Sequence, residues 1–281
     1  MIKEKAIMVG KEQVQNNPEE QDDISQYERQ ECSTIQKDSS VVNKRYKTKP
    51  SKEIVGLFEY LLWQPIYEHV DGLDICQDYK DALCNKFVSL RTDIKKLYCK
   101  FAKQLVCLDS NLPVTNTAYF SVCEGGFKFN QHADMNEQLG ICNTYFHESG
   151  HMLDYLMGNA SSQVNMSSSI HQDLRLALNT LKLKLQCDEQ TAKTTLTSIL
   201  KRNLYAANVA SDVFDGASNG KVFGRFRHSD NYWNVRPYDA LGKEAFAEIL
   251  ADIACQSETH IAFTKQYLPN TILKFNNIMK G

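Results

Sequence analysis

Apolar residues between Met135 and Met157 recur every three or four positions, at Leu139, Cys142, Phe146, Leu153 and Leu156, with the small Ser149 and Gly150 between them. That spacing predicts one helix with a single buried stripe. Lys243–Ile253 repeats the pattern: Phe246, Ile249, Leu250 and Ile253 make an apolar face, while Glu244 and Glu248 stand one turn apart on another. From Glu53 to Asp109 the spacing is again helical, through Val55, Phe58, Leu61, Leu62 and Ile66, then Leu83, Phe87, Leu90, Ile94, Leu97, Phe101 and Leu105. Two or three helices fit, with Asp71-Gly72 separating the first from the next. Leucines from Leu174 to Leu204 mark a third helical region. Residues 117–129 read differently, as a short strand, a Gly125-Gly126 turn and a second strand, because aromatic and β-branched residues flank the glycines. Loops are predicted at 158–162, 167–169 and 215–220, and no internal repeat is found.

The first ~50 residues are poor in apolar positions and dense in Gln, Asn, Glu, Asp, Lys and Ser, which predicts a disordered polar tail over 1–52. Five basic residues from Lys44 to Lys52 end it and read as a solvated charge run. Residues 53–281 are expected to form one α+β body, mostly helical, with an N-terminal helical part over 53–110 and the chemistry in 111–281. The balance of 32 basic and 34 acidic residues creates no field that would recruit nucleic acid or an anionic membrane. No run approaches the ~18 apolar residues of a transmembrane helix, and no signal-peptide core follows Met1-Ile2-Lys3-Glu4-Lys5. The nine cysteines are odd in number and form no Cys-x-x-Cys, and Cys84, Cys99, Cys142 and Cys255 fall at core-like positions. Reduced thiols in a cytoplasm are expected.

The first helix carries His147-Glu148-Ser149-Gly150-His151. Two histidines four apart share a helix face, about 6 Å apart at their roots, and can close on one ion. Neutral imidazole suits Zn²⁺. Glu148 cannot easily join them as a ligand, so it is left to take a proton from a water held by the ion. A single zinc per chain then needs a third protein ligand and an open fourth position. The elongated motif would place Gly and His where this chain has Asp154 and Met157, so that class is excluded. Glu244 is assigned as the third ligand. Glu248 is assigned as the acceptor that orients a histidine ring, a role for which Asp154 competes.

His-Glu-x-Gly-His-x-x-Asp followed by Glu-x-Phe-Ala-Glu resembles the gluzincin metallopeptidases typified by the anthrax lethal factor catalytic domain. The stretch Ser211-Asp212-Val213-Phe214, then Gly220, Gly224, His228 and Tyr232-Trp233, is more similar to zincin-like domains of phage head-morphogenesis (minor head) proteins. The resemblance covers roughly Ala118 to the C-terminus. It implies a zincin-like fold, a zinc-dependent peptidase acting on protein or peptide, and a hairpin lying over the metal-bearing helix as the edge that pairs with extended substrate. It also implies phage structural proteins as partners and a virion-associated location. Lethal-factor relatives place a tyrosine seven residues before the ligand Glu; here that position is Pro237, with Tyr238 next. His228, Tyr232 and Tyr238 are therefore all candidates for holding the oxyanion. Two other readings share these residues: a phage head or assembly protein without turnover, in which His132 or His228 closes the metal shell, and a host-directed protease toxin.

Overall fold

The computed structural model describes residues 57–228, 232–233, 239–255 and 258–280. The predicted tail over 1–52 lies outside them. The described chain is mostly helical with one small sheet. Three helices open it: α1 (Leu57–Gly72), α2 (Gln77–Ser89) and α3 (Thr92–Phe101). The first ends at Gly72, the break expected from Asp71-Gly72.

Strands β1 (Cys107–Asp109), β2 (Tyr119–Ser121) and β3 (Gly126–Lys128) follow, in the order β1-β3-β2. The hairpin of β2 and β3 is antiparallel, pairing Tyr119 with Lys128 and Ser121 with Gly126. Only Gly125 occupies the turn with a left-handed φ of 75°. Gly126 is a strand residue, and a Cβ there would stand 2.5 Å from the Val106 carbonyl oxygen. β1 corrects the helical expectation for 53–109: it runs parallel to β3. Its three residues are too few to show strand alternation.

Helix α4 (Gln131–Asp134) leads into α5 (Asn143–Leu156), which carries both histidines. The single helix expected over 135–157 is broken, because Gly140 and Cys142 take left-handed φ values of 120° and 68°. The buried Asp134 carboxylate accepts from the Thr144 and Tyr145 amides at 2.8 and 3.0 Å, capping α5 from outside its own sequence.

The remaining helices are α6 (Ala160–Gln163), α7 (Met166–Leu185), α8 (Glu189–Arg202), α9 (Asn208–Ser218), α10 (Ala240–Cys255), α11 (Glu258–Tyr267) and α12 (Pro269–Lys280). Three predicted loops are thus corrected. Residues 160–163 form a helical turn, and 167–169 lie in the first turn of α7, where Asn165 accepts from the Ser168 amide at 3.3 Å. Residues 215–218 end α9 before the left-handed Asn219 and Gly220. The 174–204 region is two helices, divided where Gln186 turns left-handed and Asp188 caps α8 through the Thr191 amide at 2.7 Å.

The core wraps the histidine helix. Tyr145 and Phe146 are fully buried, and Tyr145 meets Phe127 and Phe129 of the sheet edge-on, with centroids 5.5 and 5.9 Å apart. Phe87 and Tyr98 pack on Phe146 from α2 and α3. Each such ring contributes about 1.5–3 kcal/mol by leaving water. Tyr98 also hydrogen-bonds Ser149 Oγ at 2.7 Å, which fixes the rotation of α5. On its other side α5 makes its most extensive contact with α10, which in turn packs on α7 and α9. Among the described residues no helix is long and apolar enough to cross a membrane, and the eight cysteines there are free.

Candidate metal centre

The crossing of α5 and α10 sets how near their side chains come. Gly150, between the two histidines, meets Ala247 so closely that a Cβ on it would lie 3.0 Å from Ala247 Cα. Small residues on both helices let the backbones approach, and Glu244, one turn before Ala247, reaches across to α5. His147 Nε2 and His151 Nε2 are 3.1 Å apart, and Glu244 Oε2 lies 3.5 Å from the first and 3.4 Å from the second. Ligands held tetrahedrally at about 2.0–2.1 Å from one centre sit about 3.3–3.4 Å from each other. The three edges fit that triangle. His147, His151 and Glu244 could therefore hold one metal ion, with two nitrogens and one oxygen as donors.

The surrounding side chains orient these donors. Glu248 Oε1 is 3.5 Å from His147 Nδ1, the ring nitrogen that faces away from the other donors. Its second oxygen accepts from Asn208 Nδ2 at 2.5 Å. Both oxygens of Asp154 accept from Ser161, the amide at 2.8 Å and the hydroxyl at 2.7 Å, so its hydrogen bonds organise the turn after α5. Glu148 is 6 % exposed on α5 beside His147.

Helix α9 adds a polar face to which the sequence reading gives no role, although Ser211 and Asp212 lie in the stretch of resemblance. Asn208, Asp212 and Asp215, spaced four and three apart, are buried, and Asp212 Oδ2 lies 3.4 Å from His228 Nε2. Ser211 holds the chain after α9 in place: its Oγ accepts from the Gly224 amide at 2.7 Å and donates to the Phe226 carbonyl. That staple brings His228 to within 3.5 Å of Glu244 Oε2. Tyr232 stacks on His228 with centroids 3.7 Å apart and donates its hydroxyl to Glu244 Oε1. Trp233 covers Gly216 and donates to Asp215 at 3.1 Å. The third candidate, Tyr238, lies outside the described residues. His132 is exposed on α4 and belongs to neither cluster of metal-capable residues.

Burial decides the charges. It pushes His147 down to about 3, helped by the neighbouring His151 ring, so the imidazole is neutral as a ligand must be. Burial alone would raise Glu244, but His151, His228 and His147 outweigh it and hold the carboxyl well below the usual carboxylate range. Asp212 is pushed up to about 7, by burial first and by Glu244 and Asp215, with His228 opposing. Glu248 is likewise raised by burial and by Asp212, Asp252 and Glu244. One carboxylate charge, on Glu244, is thus favoured among three neighbouring acids.

Asp212 and Asn208 had a signal available in the helical spacing of Asn208, Asp212 and Asp215. The same spacing marks many solvated faces, so it does not stand out by itself. No family model, curated protein or solved structure matches the chain.

Proposed function

We propose that this chain is a zinc-dependent metallopeptidase of the gluzincin type, with a zincin-like fold, which hydrolyses peptide bonds in a protein or peptide substrate. The observation that carries the reading is the triangle of His147, His151 and Glu244 donors at 3.1–3.5 Å, with Glu148 one residue from the first histidine. These three residues would hold zinc. Bound there, zinc supplies Lewis acidity, polarising the scissile carbonyl and acidifying water. Glu148 takes the proton of the attacking water and passes it to the leaving amine. His228 stands beside Glu244 as a donor for the developing oxyanion, and Tyr232 would join it on releasing the hydroxyl it gives to Glu244. Glu248 keeps His147 in the tautomer whose Nε2 lone pair faces the ion. The free edge of β2 pairs with extended substrate. The free cysteines favour a reducing compartment, and the resemblance of the stretch from Ser211 to Trp233 to phage zincin-like domains supports a phage or mobile-element origin.

One observation favours a second reading. His228 is near enough to Glu244 to close the coordination and leave a structural zinc, as an assembly protein would need. A Glu148→Gln change separates the two. For the peptidase, hydrolysis of a random fluorogenic peptide library should fall by at least about 10²-fold while tightly held zinc stays at one per chain. Hydrolysis that survives the change, or tight zinc that survives His151→Ala, would defeat the proposal.

A further inference from the structure

Glu244 Oε2 belongs to two triangles. Besides the two α5 histidines it lies 3.5 Å from His228 Nε2, which is itself 3.4 Å from Asp212 Oδ2, and all three of these atoms fall within 4.8 Å of one another. Direct charge-assisted hydrogen bonds would draw such atoms to about 2.7–2.9 Å. The wider spacing suits donors around a cation, and the two edges that meet at His228 match those of the first triangle. Asp212 is 4 % exposed, and its Oδ2 has no hydrogen-bond partner among the described residues. A buried carboxylate oxygen without a donor is costly, and a cation beside it removes the cost.

We infer that Asp212, His228 and Glu244 form a second divalent-cation site, sharing Glu244 with the first, so that the chain takes one tight and one weaker zinc ion. The inference rests on the proposed reading of the first site. The second ion is weaker because two dications repel and one carboxylate serves both. Its donors are one imidazole and two carboxylates, a set that zinc accepts less avidly than two imidazoles. Filling the site occupies His228 Nε2 and takes it from the oxyanion. Zinc in excess therefore inhibits the same centre that zinc at low concentration completes, which makes the second site a brake set by metal availability.

Zinc chloride titrated into chelator-stripped full-length chain, followed by calorimetry and by metal analysis after equilibrium dialysis, tests this. Wild type should bind two ions, the second at least tenfold more weakly. Asp212→Asn and His228→Ala, on different segments, should each keep the tight ion and weaken the second at least tenfold, with circular dichroism verifying the fold of both. Saturation at a single ion in wild type, or two ions of unchanged affinity in both variants, overturns the second site. His151→Ala reports separately on the first: a tight ion retained there sinks the peptidase reading and the shared site with it.

Discussion

Replacing Gly150 with alanine tests whether the helix crossing sets the metal geometry. The new Cβ would stand 3.0 Å from Ala247 Cα, 3.4 Å from Ala247 Cβ and 3.6 Å from its carbonyl oxygen. Carbon atoms pack at about 3.5–4.0 Å, so α5 and α10 must part by about 0.5–1 Å, and the obstruction is backbone that cannot rotate aside. Glu244 is one turn from Ala247 and moves with it. The edges of 3.5 and 3.4 Å from Glu244 to the two histidines then open beyond what one ion spans. Without metal, two effects oppose: alanine gains about 0.8–1 kcal/mol over glycine in a helix interior, and overpacking costs about 1–3 kcal/mol. Metal-stripped Gly150→Ala should thus lose about 0–2 kcal/mol in urea unfolding. Its tight zinc affinity, measured by competition with a chromophoric chelator, should fall at least about tenfold, or 1.4 kcal/mol. Undiminished zinc binding in a folded variant would refute the claim that this small-residue contact sets the donor distances.

Other perturbations address the surrounding structure. Asp154→Ala strips the Ser161 amide and hydroxyl of their acceptor and should cost about 1–3 kcal/mol in urea unfolding, with zinc affinity nearly unchanged; a large loss of zinc would show that Asp154 orients His151 after all. His69, hydrogen-bonded to Tyr145 at 2.8 Å, is lowered by burial to about 4. The folded state therefore binds fewer protons than the unfolded one below pH ~6.5, and stability falls as pH drops from there toward ~4. Wild type should lose about 1–2 kcal/mol more than His69→Gln between pH 7 and pH 5; equal losses would count against it. Gly216→Ala puts a Cβ 2.8 Å from the Trp233 ring, and should shift tryptophan emission and lower peptidase turnover while tight zinc remains, whereas unaltered turnover would detach the Trp233 cluster from catalysis. Chelation should lower the unfolding midpoint of wild type, since zinc at 1,000 times its dissociation constant stabilises by about 4 kcal/mol, and should lower that of His151→Ala by less.

Much of the helical framework and the histidine pair were legible because each rests on local spacing, whereas the approach of Glu244 to that pair depends on how α10 crosses α5. His147 and His151 share a face by helical geometry, and the apolar stripe around Phe146 and Leu153 says which way that helix faces the core. The boundaries were not legible for a physical reason. The start of α5 is set by Asp134, whose carboxylate caps Thr144 and Tyr145 across a turn that no periodicity announces. The Ser167–Ser169 cluster has loop composition, yet Asn165 and the tolerance of a first helical turn make it helix. In the sequence Asp212 falls within a stretch of family resemblance and carries no assigned role, because its place beside His228 depends on a tertiary event, the Ser211 staple that folds the chain back over α9.

The two triangles give these observations a common cause. Packing α10 against α5 buries Ala245, Phe246, Ile249 and Leu250 at the same time as it carries Glu244, 1 % exposed, into a ring of nitrogen and oxygen donors. A carboxylate buried that deeply destabilises the fold unless cations or hydrogen-bond donors surround it. Here three imidazole nitrogens lie within 3.5 Å of one of its oxygens, and the Tyr232 hydroxyl takes the other. The hydrophobic contact that stabilises the helix pair therefore also creates an electrostatic demand that the imidazoles meet and that a metal ion held there could share. Because those imidazoles outweigh burial and already hold the carboxyl well below the usual carboxylate range, Glu244→Gln should lower the stability of the metal-stripped chain near neutral pH while abolishing tight zinc. A metal-stripped Glu244→Gln protein as stable as wild type in urea, or more stable, would show that the imidazoles and the Tyr232 hydroxyl leave the carboxylate unsatisfied.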